Sequence, residues 1–112
     1  EPANADDAFR SLREGRIIPS LDPRTVADGL RTSLGRRNFA ILREHLERVV
    51  LASEEGIVAA MRLLWERAKL VVEPSAAVPL AALLERALDL RGLRVGIVLS
   101  GGNVDLDRLP WR

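Results

Sequence analysis

The most pointed chemistry in this chain lies near its end, where Ser100, Gly101, Gly102 and Asn103 follow the apolar run 95–99 (VGIVL) without a break. A β-rich run that stops at a hydroxyl and paired glycines puts a small polar group at the carboxyl end of a buried strand, where open α/β sheets bind ligands. Local sequence alone favours the plainer reading, a serine that merely ends a strand. A second cluster opens the chain: Glu1 and Asp7 are carboxylates with Pro2 and a helix start between them. Bare spacing makes them ordinary dipole and capping charges. Glu73, just before Pro74, reads as a capping or dipole contact at a helix start, and Asp28 and Gly29 as a turn. His45 is the only histidine and lies among Arg43, Glu44 and Glu47. That is a solvated helix face, and with no partner histidine or cysteine it is a poor catalytic or metal candidate.

Composition bounds the rest. At 112 residues the chain is one domain or less. Net charge is +1, so no strong field calls for nucleic acid or an anionic membrane. Cysteine is absent, which excludes disulfides, thiolate metal sites and a cysteine nucleophile and fits a reducing cytoplasm. The longest apolar runs fall far short of the roughly 20 residues of a spanning helix, and nothing reads as a signal peptide. The chain opens on Glu1 and its only methionine is Met61, so it is expected to be a piece of a longer protein.

The elements that would position these residues alternate between helix and strand. Asn4 can cap a helix over 5–14 that Gly15 ends. Residues 16–36 are irregular, with a short helical turn at 25–30. Asn38 can cap a helix to Leu46, and 48–52 (RVVLA) reads as a strand. Ser53 caps the clearest helix, 54–69, although Gly56 occupies the place where a capping box would have glutamate. The segment 70–72 is extended and leads into a helix over 74–88, with Pro74 in its first turn and Pro79 expected to kink it or delay its start. A strand over 94–99 completes a pattern that suggests a parallel α/β sheet. Ile57, Met61 and Leu64 are expected to form an unpartnered apolar face that makes an isolated chain associate.

Taken together, VLSGGNVDLDRLPW (98–111), VVEPSAAVPLAALL (71–84), TVADGLRTSLG (25–35), MRLLWERAK (61–69) and EPANADDAFRS (1–11) resemble, in order, the C-terminal part of the pyridoxal-phosphate (PLP) serine/threonine dehydratases and serine racemases. The resemblance covers essentially the whole chain. It implies a partial parallel-sheet, three-layer fragment of the large domain of a fold-type-II PLP enzyme. It also implies that Ser100 hydrogen-bonds the pyridine nitrogen of PLP, with Gly101 and Gly102 letting the backbone pass close to the ring. A neutral hydroxyl there leaves the nitrogen largely unprotonated, which suits expulsion of a β-leaving group. Gly29 is placed in the loop below the cofactor and Glu73 near it. Ala76 and Ala77 stand where the family often has glycine, and a positive φ at either would be strained.

The resemblance further implies a divalent cation held by the Glu1 and Asp7 carboxylates and the Ala5 carbonyl, an all-oxygen set suited to Mg²⁺, Ca²⁺ or Mn²⁺. Two parts of such an enzyme are not in this sequence: the Schiff-base lysine and the glycine-rich phosphate loop. Lys69 matches the family's WERMK-like block and serves a helix end, and Trp65 reads as core or subunit interface. The expected function is therefore that of a threonine/serine dehydratase-like enzyme, converting a hydroxy amino acid to a 2-oxo acid and ammonia. No catalytic residue is expected in this chain, and the chain alone is expected to be inactive. An amino-acid substrate, a missing N-terminal region and a homo-oligomeric parent are the implied partners, with no nucleic acid and no membrane. Serine racemase and hydroxyaspartate dehydratase share the framework, so the substrate stays open. A non-enzymatic interaction or metal-binding module, and a decayed remnant, are the alternatives.

Overall fold

Small side chains decide the centre of this molecule. In a computed structural model that describes residues 1–111, helix α3 (Glu54–Leu63) packs against α4 (Pro74–Leu84). Ala60, Ala76, Ala77 and Ala81 are almost fully buried between them, and Ile57 and Met61 fill the remaining space. Alanines let two backbones approach closely, and a buried isoleucine or methionine contributes about 1.5–3 kcal/mol by leaving water. Ile57 and Met61 are thus core residues rather than the unpartnered face the pattern suggests. The exposed apolar side chains lie elsewhere, at Val71, Leu93, Val95 and Val98 among others.

The start of α3 is held from another helix. Ser53 Oγ accepts from the Gly56 amide at 2.9 Å, as its capping position predicts. The glutamate that Gly56 displaces from a local capping box is supplied by Glu85 at the end of α4. Its carboxylate accepts from the Ser53 amide at 3.1 Å and from the Ser53 hydroxyl. A Cβ at position 56 would collide with Glu85 Oε1, so glycine is there to admit the visiting carboxylate. Beyond Leu63 the helix widens into a π turn, Leu64–Ala68, which Lys69 closes at φ +59. Trp65 donates from Nε1 to Val72 O at 2.9 Å and meets Trp111 edge-on at 5.5 Å.

Helix α1 (Asp7–Glu14) ends at Gly15, φ +70, as expected. It begins later than Asn4 suggests, because the Asn4 amide donates to Arg24 O at 3.2 Å. Helix α2 (Arg36–His45) starts at Gly35 rather than at an Asn38 cap. A single 3-10 turn, Asp28–Leu30, interrupts the irregular segment before it. Helix α4 runs unbroken through Pro79, whose ring is exposed, and closes at Leu84 rather than near 88; Arg86 then takes φ +55.

The parallel sheet is the expectation that the structure reduces most. Residues 1–3 and 50–52 pair in parallel, with Glu1 N donating to Val50 O at 2.8 Å, Ala52 N to Glu1 O at 2.9 Å and Ala3 N to Ala52 O at 2.8 Å. That staggered pattern is the parallel ladder. Residues 94–99 join no ladder among the described residues. A strand exists through its neighbours, and this segment meets none here, which leaves Val95 and Val98 exposed. The three-layer arrangement is likewise not formed among the described residues, which hold four α-helices, a 3-10 turn, a π turn and one pair of extended segments. None of the helices is long and apolar enough to cross a membrane.

Candidate functional site

The first turn of α4 is where the predicted cofactor residues converge. Glu73, its N-cap, is extended (φ −84, ψ 163), as a residue before proline must be. Its amide donates to Gly101 O at 3.1 Å, and its carboxylate lies over Gly101, where an added Cβ would collide with Oε1. One residue on, a Cβ at Gly102 would come within 2.8 Å of Val71 O. On the other side of the turn, the Gly29 amide donates to Ser75 Oγ at 3.2 Å and to Asp28 Oδ1 at 2.9 Å, and a Cβ there would meet Ser75 Oγ at 2.9 Å.

Gly29, Glu73 and Gly101 therefore meet at one helix N-terminus although they are distant in sequence. Ser100, next to Gly101, is exposed, and its hydroxyl is accessible. Gly102 leaves room for the backbone of Val71, and Gly101 leaves room for the Glu73 side chain. Ala76 and Ala77 lie inside α4 with ordinary helical backbone and are buried, so the strain considered for them does not arise.

The second site surrounds the start of α1. The Glu1 carboxylate accepts from the amides of Ala8 at 3.0 Å and Phe9 at 2.8 Å, which gives the helix the cap that Asn4 does not. Asp7 is buried, and its Oδ2 accepts from the Leu34 amide at 3.1 Å. Both carboxylates line a cleft of about 340 Å³ with Leu30, Ser33, Gly35 and Asn38. Burial pushes the Glu1 carboxyl above its usual range, against the pull of the Phe9 and Ala8 amides, and the Asp7 charge pushes it further the same way. Burial likewise raises Asp7, against the Leu34 amide. Ala5, the third predicted ligand, is buried. Among the described residues no third acidic, histidine or cysteine side chain joins the pair. Any cation there would depend on these carboxylates, a backbone carbonyl and water. Hard oxygen donors at a site where negative charge is already disfavoured suit such an ion.

Other candidates fall outside both sites. His45 ends α2 and is largely exposed, 3.8 Å from Glu44. Lys69 donates to Glu66 O at 2.8 Å, a helix-end role. The sequence reading missed Ser75 and Glu54. Ser75 stood in view within VVEPSAA, but nothing in its local spacing shows that Gly29 would fold onto it. Glu54 lies in the first turn of α3, and its Oε2 accepts from Thr25 Oγ1 at 3.1 Å and the Val26 amide at 2.8 Å.

Comparison with known proteins gives this geometry a family. Residues 1–101 match the family described as pyridoxal-phosphate dependent enzyme, and the chain belongs to it. Within that family its relatives are fold-type-II dehydratases, deaminases and racemases of amino acids. It is 47% identical over 111 residues to the beta-hydroxyaspartate dehydratase of Paracoccus denitrificans (strain Pd 1222), covering 99% of this chain and 35% of the relative. Among solved structures, a threonine deaminase from T.th. superposes with a TM-score of 0.81 at 51% identity, covering 94% of this chain and 39% of the other. Maize serine racemase gives a TM-score of 0.88 at 40% identity, covering 96% and 34%. The chain thus spans about a third of the length of the curated relatives it matches. These neighbours support the α/β class, and the sheet itself is formed here only by the short parallel pair.

Proposed function

We propose that this chain forms the ring-nitrogen wall of a PLP site in an ammonia-lyase of the threonine/serine dehydratase type. The observation that carries the reading is the convergence of Gly29, Glu73 and Gly101 at the first turn of α4, beside an accessible Ser100. Bound PLP supplies an electron sink for cleavage at the substrate's α-carbon. Ser100 would meet the pyridine nitrogen with a neutral hydroxyl, which does not hold a proton there as a carboxylate would. Glu73, held over Gly101, fixes the backbone from which Ser100 projects. Gly29 keeps the opposite loop low. The Schiff-base lysine and the phosphate loop would come from outside residues 1–112, and an amino-acid substrate would bind between those parts and this wall. Glu1, Asp7 and the Ala5 carbonyl would hold Mg²⁺, Ca²⁺ or Mn²⁺ beneath α1. The exposed Leu93, Val95 and Val98 would be covered in the whole protein, a cytoplasmic homo-oligomer.

The test is made on the full-length protein with L-threonine, L-serine and 3-hydroxyaspartate, reading 2-oxo acid release and visible cofactor absorbance. At least one substrate should be deaminated. Ser100→Asp should lower elimination while keeping bound PLP, because the carboxylate holds the ring nitrogen protonated. A protein that takes up no PLP, or a Ser100→Asp variant with unchanged elimination, would overturn the proposal. The isolated chain should release no oxo acid above a no-protein control.

A further inference from the structure

The loop that carries Asp28 and Gly29 is suspended between two helix starts. On one side Glu54, the first residue of α3, presents Oε2 to the Thr25 hydroxyl (3.1 Å) and the Val26 amide (2.8 Å). Thr25 is 2% exposed, and its hydroxyl also accepts from the Ala27 amide at 3.1 Å, while Arg31 donates from Nε to its carbonyl at 3.0 Å. On the other side Ser75, in the first turn of α4, accepts from the Gly29 amide at 3.2 Å. Glu54 Oε1 is buried with no hydrogen-bond partner among the described residues. Oε2 is thus the oxygen through which this carboxylate holds the loop.

We infer that Glu54 and Ser75 are positioning residues, which set the height of Gly29 against the start of α4 and so the floor of the cofactor site. The inference rests on the proposed PLP reading. Both act through the loop 25–30, to which their hydrogen bonds run. Because α3 and α4 are packed on each other through buried alanines, the two anchor points are held at a fixed separation. The loop between them has little freedom while both bonds stand.

The experiment uses the full-length protein and titrates it with PLP, following visible absorbance, and in parallel measures kcat and KM. Wild type must bind PLP; if it does not, the function proposed above fails and the positioning role is not what failed. Given binding, Glu54→Ala should raise the PLP dissociation constant about tenfold and Ser75→Ala about fivefold, the size expected for losing one or two hydrogen bonds to the loop. Glu54→Gln, which keeps an acceptor oxygen, and Ser75→Thr, which keeps the hydroxyl, should stay within about twofold of wild type. Glu85→Ala is the control for simple loss of stability, because it breaks the Ser53 cap of the same α3 without touching the loop. It should lower Tm and leave PLP affinity unchanged. Unaltered PLP affinity in both Glu54→Ala and Ser75→Ala, or an equal loss in Glu85→Ala, would overturn the inference.

Discussion

The starts of α4 and α1 are both built from residues far apart in sequence, and they differ in what is left over. At α4 the contacts close on themselves: Glu73 covers Gly101, Ser75 receives Gly29, and Val71 O fills the space over Gly102. Ser100 beside them is exposed, and its neutral hydroxyl costs little to leave in water. At α1 two like charges are drawn out of water together, and burial raises the proton affinity of both. One site offers a neutral hydroxyl beside a single carboxylate. The other carries an electrostatic cost that a cation would offset.

The comparison breaks most sharply at Gly101. In Gly101→Ala the new methyl would collide with the Glu73 carboxylate, so either the glutamate or the 100–102 backbone must move. A displacement of about 1 Å at a positioning element can cost about a hundredfold in rate. Turnover by the full-length protein should fall by that order. Equal turnover in wild type and Gly101→Ala would mean that the tight fit at α4 has no bearing on function.

How much of this was legible follows from where the information sits. The helix cores and the Ser53 cap are local, written in spacing and side-chain type, and so could be read. The parallel sense of the 1–3 and 50–52 pair agrees with the expected alternation of helix and strand. Residues 94–99 read as a strand because their composition is β-rich, but composition cannot provide the neighbouring strand on which pairing depends. The resemblance named Gly29, Glu73 and Gly101, while only the fold shows that a single turn of α4 gathers them. Gly56 looked like a failed capping box. The missing carboxylate was Glu85, twenty-nine positions further on and invisible to any local rule.

That long-range cap gives the next test. Glu85→Ala removes the acceptor of the Ser53 amide and hydroxyl and should cost about 1 kcal/mol, the usual worth of a helix cap; Gly56→Ala pushes the carboxylate away but gains helix propensity, so its net cost should be smaller. Thermal or urea unfolding would show it. The double variant should cost little more than the worse single one, because both break the same contact. Additive losses would mean that Gly56 and Glu85 act separately.

The smallest expected effect, below about 1 kcal/mol, is also the one that separates the two sites by sign. Glu1 and Asp7 have folded-state pKa values raised above their ordinary ones, so the folded chain holds these protons more tightly than the unfolded chain does. Their contribution favours folding below the ordinary carboxylate range and is lost as pH rises through the raised values. In chelator at pH 7, Asp7→Asn should therefore be slightly more stable than wild type, because it removes a buried charge and its repulsion of Glu1 while an amide oxygen can still accept from Leu34. That advantage should shrink as pH falls through the raised range in which wild-type Asp7 takes up its own proton. Millimolar Mg²⁺ or Ca²⁺ should raise the wild-type Tm and leave Asp7→Asn unmoved. Ser100→Ala should leave the wild-type response to cation unchanged, since the hydroxyl it removes carries no charge. If wild type ignores both cations and Asp7→Asn is the less stable protein in chelator, the carboxylates at α1 are structural caps, and the contrast between the two helix starts is one of burial alone.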